Sequence, residues 1–317
     1  MSFPGVQEKV SHFLQENFPH IQWKILPWEK VTSLGAGAGV LPVLAPETLS
    51  QALEIVRKIY ASGKKAVPIG GGFNFAGMDI LEEDTFYLRI SPEGEGGRIL
   101  FEGDGRFRAG GAVTLKKLID FALEYGYGGA SALAGIPGTL GGALAMNAGA
   151  RGREISEFLT SVTLLPLEKD PSFFTLSRKD LHFSYRKSPS IRGKALLWEA
   201  VFSFPEVKKD EESFLIQEEL EKRKKNPKGR SAGSIFANPP GDSAGRLLEE
   251  SGCKGMEEGA FFVSSEHANW ILRKPGTPPL EGTFRDFSLL VEKMQKRVRE
   301  KFNIDLIPEI RMPGKKE

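Results

Sequence analysis

The chain has 317 residues, 40% of them hydrophobic, and a formal net charge of +2 at pH 7. This length is enough to bury a substantial core and to divide into two or three lobes. The near balance of charge argues against a nucleic-acid-binding protein. A single cysteine, Cys253, excludes an internal disulfide. With neither an apolar signal core nor a membrane-spanning run in the sequence, we expect a cytoplasmic monomer that does not insert into a membrane.

Two amphipathic helices are predicted in the first 130 residues. Thr48 and Gln51 form a capping box ahead of apolar residues with helical spacing, and Gly63 marks the end of that helix. Thr114 precedes a second run of the same kind, which Gly126 ends. Both helices should lie with one face on a core.

Short apolar runs at 85–90, 99–109 and 196–204 predict strands, which makes this part of the chain α+β. Residues 205–213 are charged and poor in apolar side chains, so we place a domain boundary there. We therefore expect a first domain over 1–205 in two subdomains that divide near residue 88, a smaller α+β domain over 206–306, and a C-terminal segment over 307–317.

Two further helices are predicted after the boundary. Asp242 or Ser243 caps a short helix that Gly252 ends. In the last long helix, apolar side chains follow one face at 284–302. That stripe is more readily explained by core packing than by an aromatic platform for a cofactor.

Residues 135–149 carry the most information in the chain, because five glycines leave a backbone that a flat or anionic ligand can approach closely. A tightly packed turn explains an isolated glycine cluster equally well. Thr139 and Asn147 favour ligand binding, since they place hydrogen-bonding groups in an otherwise apolar segment.

A second glycine cluster follows a short predicted strand at 65–69. The three glycines at 70–72 provide successive backbone N–H groups suited to a pyrophosphate. The sequence contains neither the glycine pattern of a Rossmann dinucleotide site nor that of an ATPase phosphate loop. A dinucleotide would have to be held in another way.

The two glycine loops together resemble the FAD-binding domain of the vanillyl-alcohol-oxidase type. Within that group, the chain from 32 to 311 resembles the UDP-N-acetylenolpyruvoylglucosamine reductase family, whose motifs occur here in the family's order at 135–149, 183–188, 231–239, 260–269 and 307–310. One such motif is weak support, whereas five in order are highly specific. The resemblance implies a two-lobed FAD-binding domain followed by a smaller α+β substrate-binding domain.

The resemblance also implies FAD as cofactor, NADPH as reductant and a UDP-sugar as substrate in peptidoglycan precursor synthesis. It assigns the cofactor to both glycine loops, at Ile69, Gly70, Gly71, Gly72, Phe73, Asn74, Gly135, Ile136, Pro137, Gly138, Thr139, Gly142, Ala143 and Asn147. FAD should be bound non-covalently, because no histidine occurs between His20 and His182 and Cys253 lies far downstream. The four histidines have no metal-ligand spacing, and a structural role is expected for His267.

Reduction of an enolpyruvyl ether needs a hydride carrier, a proton donor and a group that stabilises negative charge next to the substrate carboxylate. The resemblance gives the proton to Ser234, charge stabilisation to Arg186 and Glu309, and substrate binding to Tyr185, Arg186 and Asn238.

Simpler explanations exist for the same residues. Arg186 and Glu309 could form a structural ion pair, and Ser234 could be a turn residue. Two other functions also stay open, namely an FAD-dependent alcohol or lactone oxidase of the same fold and a non-catalytic protein that binds a flavin or a nucleotide sugar.

The sequence departs from the family pattern at Phe73, where a serine that would bond the pyrophosphate is usual, so that contact is lost or passes to backbone N–H groups. The stretch from 185 to 196 is too short for the substrate-capping loop found in one branch of the family. The basic run at 222–230 is either a solvated helix end, the simpler explanation, or a positive rim that attracts the nucleotide diphosphate.

Overall fold

The first lobe is a four-stranded sheet that carries helices on its surface. The computed structural model describes residues 4–278 and 281–312. In chain order the lobe contains α1 (Pro4–Asn17), β1 (Trp23–Pro27), α2 (Trp28–Val31), β2 (Val40–Leu44), α3 (Leu49–Ala61), β3 (Lys65–Pro68) and β4 (Thr85–Leu88). The strand order is β1-β2-β4-β3, with β1 antiparallel to β2 and the other pairs parallel.

The start of α3 shows how the sequence sets the helix boundary. Thr48 Oγ accepts a hydrogen bond from the N–H of Gln51, as predicted. The Gln51 side chain accepts from the N–H of Glu47, at 2.8 Å, one residue earlier than a standard capping box has it. Gly63 follows the helix with φ +71°, a conformation that favours glycine.

The second lobe is a five-stranded antiparallel sheet. It contains β5 (Ile99–Gly103), β6 (Arg106–Gly110), α4 (Leu115–Glu124), α5 (Leu140–Ala145), β7 (Gly149–Ala150), β8 (Arg153–Glu154), β9 (Leu159–Pro166), β10 (Phe174–Ser177) and β11 (Ala195–Ser203). The strand order is β10-β9-β11-β6-β5. The apolar run 99–109 thus forms a hairpin rather than one strand, because Asp104 and Gly105 both take positive φ. The predicted helix α4 and strand β11 are confirmed.

Residues 205–213, where the sequence suggests a domain boundary, lead into α6 (Lys209–Arg223). Glu212 is 5% exposed, and its carboxylate accepts hydrogen bonds from the N–H groups of Gly129 and Ser131. Ile216 and Leu220 pack against the core of the second lobe. The helix therefore packs with the second lobe, and the domain division at 205 stays a prediction.

The third lobe is a four-stranded antiparallel sheet with two helices. It contains β12 (Ser231–Ser234), α7 (Ala244–Glu250), β13 (Glu257–Glu258), β14 (Phe261–Val263), β15 (Trp270–Arg273) and α8 (Phe284–Phe302), in the strand order β12-β15-β14-β13. Ser243, not Asp242, caps α7, and the N–H groups of Gly252 and Cys253 bond back to the helix as a Schellman motif requires. The apolar stripe of α8 is buried in the core of this lobe, as predicted.

Polar contacts join the first lobe to the third. The Asp79 carboxylate accepts from the N–H groups of Phe284 and Arg285 at the start of α8. Arg273 donates to the carbonyl of Gly35, and Arg230 donates to that of Thr32. These contacts fix the mutual position of the two lobes on which the site depends. In the described part of the chain, no helix is both long and apolar enough to cross a membrane.

Candidate active site

A cavity of about 750 Å³ lies where the three lobes meet. The first lobe contributes the loop after β3, the second lobe contributes the segment around α5, and the third lobe contributes β12. Both predicted glycine loops therefore line the same space, although more than 60 residues separate them in the sequence.

The two glycine loops touch each other. A Cβ atom on Gly70 would lie 2.5 Å from Thr139 Oγ, and one on Gly71 would lie 3.2 Å from the Cα of Gly138. Gly72 has φ +71°, and a Cβ there would lie 2.0 Å from the carbonyl oxygen of Val31. Only glycine fits such a cradle, and backbone N–H groups in a glycine loop of this kind suit the pyrophosphate of FAD.

All of the predicted cofactor residues line the cavity except Asn147. Asn147 is fully buried, with φ +44°, and its amide donates to Glu154 and to the carbonyl of Ser184. These bonds hold the turn that presents Arg186. The predicted direct contact of Asn147 with the cofactor stays a prediction.

Phe73 occupies the position at which the family usually has serine. Its ring lies against Gly71 and near Gly138, at the junction of the two loops, and the residue is 40% exposed. An aromatic ring offers no hydrogen bond to a phosphate. That the contact is lost here or passes to backbone N–H groups of the loop stays a prediction.

Arg186 and Glu309 form an ion pair in the cavity wall. Arg186 Nε donates to Glu309 Oε1 at 2.6 Å, and a terminal nitrogen of Arg186 donates to the carbonyl of Gly149 at 2.8 Å. The side chains are 23% and 14% exposed. Burial raises the pKa of the Glu309 carboxyl group, and the neighbouring Arg186 and Arg192 oppose that shift. The ion pair that the structural explanation requires is formed, and it lies in the cavity wall, where its catalytic role stays a prediction.

Ser234 ends β12 and also lines the cavity. Next to it, the carbonyl of Ile235 accepts from the N–H of Glu309 at 2.8 Å. Asn269, from the fourth family motif, fixes this strand because its side chain donates to and accepts from the backbone of Phe236. Ser234 and Glu309 thus lie on adjacent backbone segments that are joined by a hydrogen bond.

Tyr185 and Asn238, the other two predicted substrate ligands, lie outside the cavity wall. The Tyr185 ring is 49% exposed, and the Arg186 guanidinium lies 5.0 Å from its centroid. Asn238 is exposed, and its Oδ1 accepts from the N–H of Ala244 at the start of α7. Their contacts with substrate stay predictions.

The sequence did not indicate how many arginines line this cavity. They come from all three lobes and the C-terminal segment: Arg89, Arg186, Arg192, Arg223, Arg230 and Arg311. Among the described residues, Glu309 is the one carboxylate in the wall. Such an excess of positive charge suits ligands that carry diphosphates.

Apart from Arg186, which its motif indicated, only the basic run at 222–230 gave a partial signal for these arginines. Arg223 and Arg230 line the cavity, whereas Lys222 and Lys224 pair with glutamates of α6. The helix-end explanation fits Lys222 and Lys224. The attraction of a nucleotide diphosphate by Arg223 and Arg230 stays a prediction.

Neither histidine nor cysteine is among the described residues that line the cavity. Cys253 is buried in the core of the third lobe, where burial raises the pKa of its thiol to about 11. His267 Nδ1 accepts from the N–H of Asn269. Over 4–278 and 281–312, no cluster of potential metal ligands is found. The non-covalent binding of FAD stays a prediction.

Comparison with known proteins agrees with this site. A family model described as FAD binding domain matches residues 40–166, and the fold and paired glycine loops define a flavoprotein with an FAD-binding domain of the vanillyl-alcohol-oxidase type. A second model, the C-terminal domain of UDP-N-acetylenolpyruvoylglucosamine reductase, matches residues 224–313. The chain belongs to the UDP-N-acetylenolpyruvoylglucosamine reductase family, because relatives of that name at least 33% identical to it cover 95% or more of its length.

Relatives of that name match nearly the whole chain. The protein of Desulforamulus reducens is 34% identical over 328 residues, which cover 98% of this chain and 96% of the relative. That of Listeria monocytogenes is 33% identical over 317 residues, which cover 95% and 98%. The crystal structure of the Thermus caldophilus reductase matches with a TM-score of 0.75 and 29% identity, over 92% of this chain and 98% of that one.

Proposed function

We propose that this protein reduces the enolpyruvyl group of UDP-N-acetylglucosamine enolpyruvate to give UDP-N-acetylmuramate, with NADPH as reductant, in peptidoglycan precursor synthesis. The observation that carries the proposal is that Ser234 and the Arg186–Glu309 pair lie in the wall of one cavity with the two glycine loops. Family membership supports the same reaction.

FAD would be held by the glycine cradle of Gly70, Gly71, Gly138 and Gly142, with Thr139 at the start of α5. FAD bound there would supply the hydride for the substrate alkene, with NADPH as the reductant. The sequence has no separate nicotinamide-binding motif. Resemblance to the family implies that NADPH and substrate use the same pocket in turn, which would give ping-pong kinetics, and the missing motif is consistent with that.

The residues of the chain handle charge and the proton. The substrate alkene gains one hydride on one carbon and one proton on its neighbour, and negative charge develops on the adjacent carboxylate in between. The Arg186 guanidinium would stabilise that charge. Ser234 would donate the proton, which a weak acid can do because a carbanion next to a carboxylate is very basic.

Glu309 would assist by donating a proton or a hydrogen bond from its carboxyl group to the same intermediate. Burial raises the pKa of this carboxyl group, so Glu309 holds a proton more readily than an exposed glutamate does. The 2.6 Å bond to Arg186 also fixes the guanidinium. The two side chains would act as one unit, which we expect to show as non-additive effects of mutation.

The two alternatives lack such support. An alcohol or lactone oxidase of the same fold would give no reason for a serine beside this ion pair, and a non-catalytic binder would need none of the three groups. Anaerobic reduction of the protein with NADPH, followed by the enolpyruvyl nucleotide sugar, separates the possibilities. The reductase reoxidises its flavin on addition of the sugar, an oxidase does so only with oxygen, and a binding protein does neither.

We further propose that the protein acts as a monomer in the cytoplasm. One copy of the chain supplies every cavity-lining residue described above, from all three lobes. Light scattering at the enzyme concentration used for kinetics tests the oligomeric state. A dimer that loses activity on dilution would contradict this part of the proposal.

A further inference from the structure

The C-terminal segment 307–311 lies between the first and third lobes and carries Glu309. On one side, the N–H of Glu309 bonds to the carbonyl of Ile235, and the N–H of Ala237 bonds to that of Ile307. On the other side, the segment pairs with residues 74–76 of the first lobe. Glu309 is therefore held by backbone contacts to two lobes and by its side chain to a third.

Asn74 makes the side-chain contact in this arrangement. Its Nδ2 donates to the carbonyl of Glu309 at 3.0 Å, and its own carbonyl accepts from the N–H of Arg311 at 3.1 Å. Asn74 directly follows the glycines and Phe73 of the first cofactor loop, and it lines the cavity. A single residue thus joins the end of the cofactor loop to the backbone of Glu309.

We propose that Asn74 is a positioning residue that transmits the position of the cofactor loop to Glu309. The inference rests on the proposed function, since it gives Glu309 a part in the reaction. A pyrophosphate bound on the N–H groups at 70–73 would order the loop. The Asn74 amide would then fix the carbonyl of Glu309, and the side chain of Glu309 would meet Arg186 in the geometry that the substrate needs.

Three hydrogen bonds constrain Glu309, and two of them do not involve the cofactor loop. The bond to Ile235 belongs to the third lobe, and the bond to Arg186 belongs to the second. Backbone pairing at Arg311 orients the segment two residues away. Among the described contacts, the Asn74 amide makes the direct hydrogen bond between the cofactor loop and Glu309.

The first test needs no substrate. Hydrogen exchange of the full chain is measured with and without FAD in the wild type, in Asn74→Leu and in a control, Asn17→Leu. Asn17 makes a similar amide-to-carbonyl bond, 2.9 Å to Phe13, in α1. With FAD at a concentration shown by titration to saturate each protein, we expect FAD to slow exchange at 307–311 at least threefold in the wild type and the control, and much less in Asn74→Leu. Equal protection by FAD in Asn74→Leu would overturn the proposal.

The second test measures the two half-reactions by stopped flow. With each variant saturated with FAD, we expect Asn74→Leu to slow flavin reoxidation by the enolpyruvyl substrate about tenfold more than it slows flavin reduction by NADPH. In a Glu309→Gln background the Asn74 effect on reoxidation should largely disappear, because the two changes act through one group. Additive losses would contradict the coupling, as would a loss confined to FAD affinity. If the wild type itself fails to reoxidise with the substrate, the proposed function is wrong, and the exchange experiment still decides the role of Asn74.

Discussion

Ser234→Ala is the sharpest perturbation of the proposed chemistry because it removes one hydroxyl and leaves the backbone in place. Ser234 ends β12 with its backbone paired to Trp270 and is half-buried in the cavity wall. No hydrogen bond of its hydroxyl is found within the described residues, so the folded state loses little when the hydroxyl is removed. We expect the free energy of unfolding to change by less than about 1 kcal/mol.

Ser234→Ala should raise the activation free energy of the reaction much more than it changes the free energy of unfolding. It should slow only one of the two half-reactions. A positioned proton donor contributes about 10² to 10⁴ in rate, which corresponds to about 3 to 5 kcal/mol of activation free energy. Flavin reduction by NADPH does not use this proton and should stay within twofold of the wild type. Flavin reoxidation by the enolpyruvyl substrate should slow by at least a hundredfold.

Stopped-flow absorbance of the flavin under anaerobic conditions follows each half-reaction separately. Ser234→Cys is the companion variant, and it should recover part of the rate because a thiol is a stronger acid than an alcohol. Equal slowing of both half-reactions in Ser234→Ala would mean that the hydroxyl serves flavin binding or folding. Unchanged reoxidation would remove Ser234 from the mechanism altogether.

Four further results are expected. Purified protein should be yellow and release intact FAD on denaturation, and colourless protein that takes up no FAD would contradict the cofactor assignment. Gly70→Ala should weaken FAD binding at least tenfold in a fluorescence titration, because the added Cβ would lie 2.5 Å from Thr139 Oγ; wild-type affinity would show that the cradle does not hold the pyrophosphate. Raising the salt concentration should lower kcat/KM for the nucleotide sugar more than it weakens FAD binding, because salt screens the attraction between the diphosphate and the cavity arginines Arg223 and Arg230. A salt-independent kcat/KM would exclude that role. Burial raises the pKa of Glu309 in the folded state, so ionisation of this residue costs stability as the pH rises from the unfolded pKa of about 4.3 through the folded value. Chemical denaturation should show that the free energy of unfolding of the wild type falls across that range relative to that of Glu309→Gln. Parallel pH curves for the two proteins would refute this expectation.

Local signals in the sequence determined several helices and both glycine loops. Thr48 and Thr114 cap the helices that they were expected to cap, and the stripe of α8 is buried as its spacing indicates. Each of these signals acts within a few residues, where helix geometry alone fixes which side chains and backbone groups come into contact. Residues 209–223 gave no such signal, because α6 is mostly charged and is held by Glu212 and a few apolar contacts with the second lobe.

The order of the five motifs in the sequence determined the family and the candidate residues, but not how they meet. Arg186 and Glu309 are 123 residues apart, and Asn74 and Glu309 are 235 apart, yet both pairs are in hydrogen-bond contact. Asn147 lies behind the cavity wall instead of in it, and the arginines of the wall come from separate segments. Only the packing of three lobes around one cavity decided these placements, because contacts between distant segments depend on how whole sheets and helices bury their apolar faces, which no short stretch of sequence encodes.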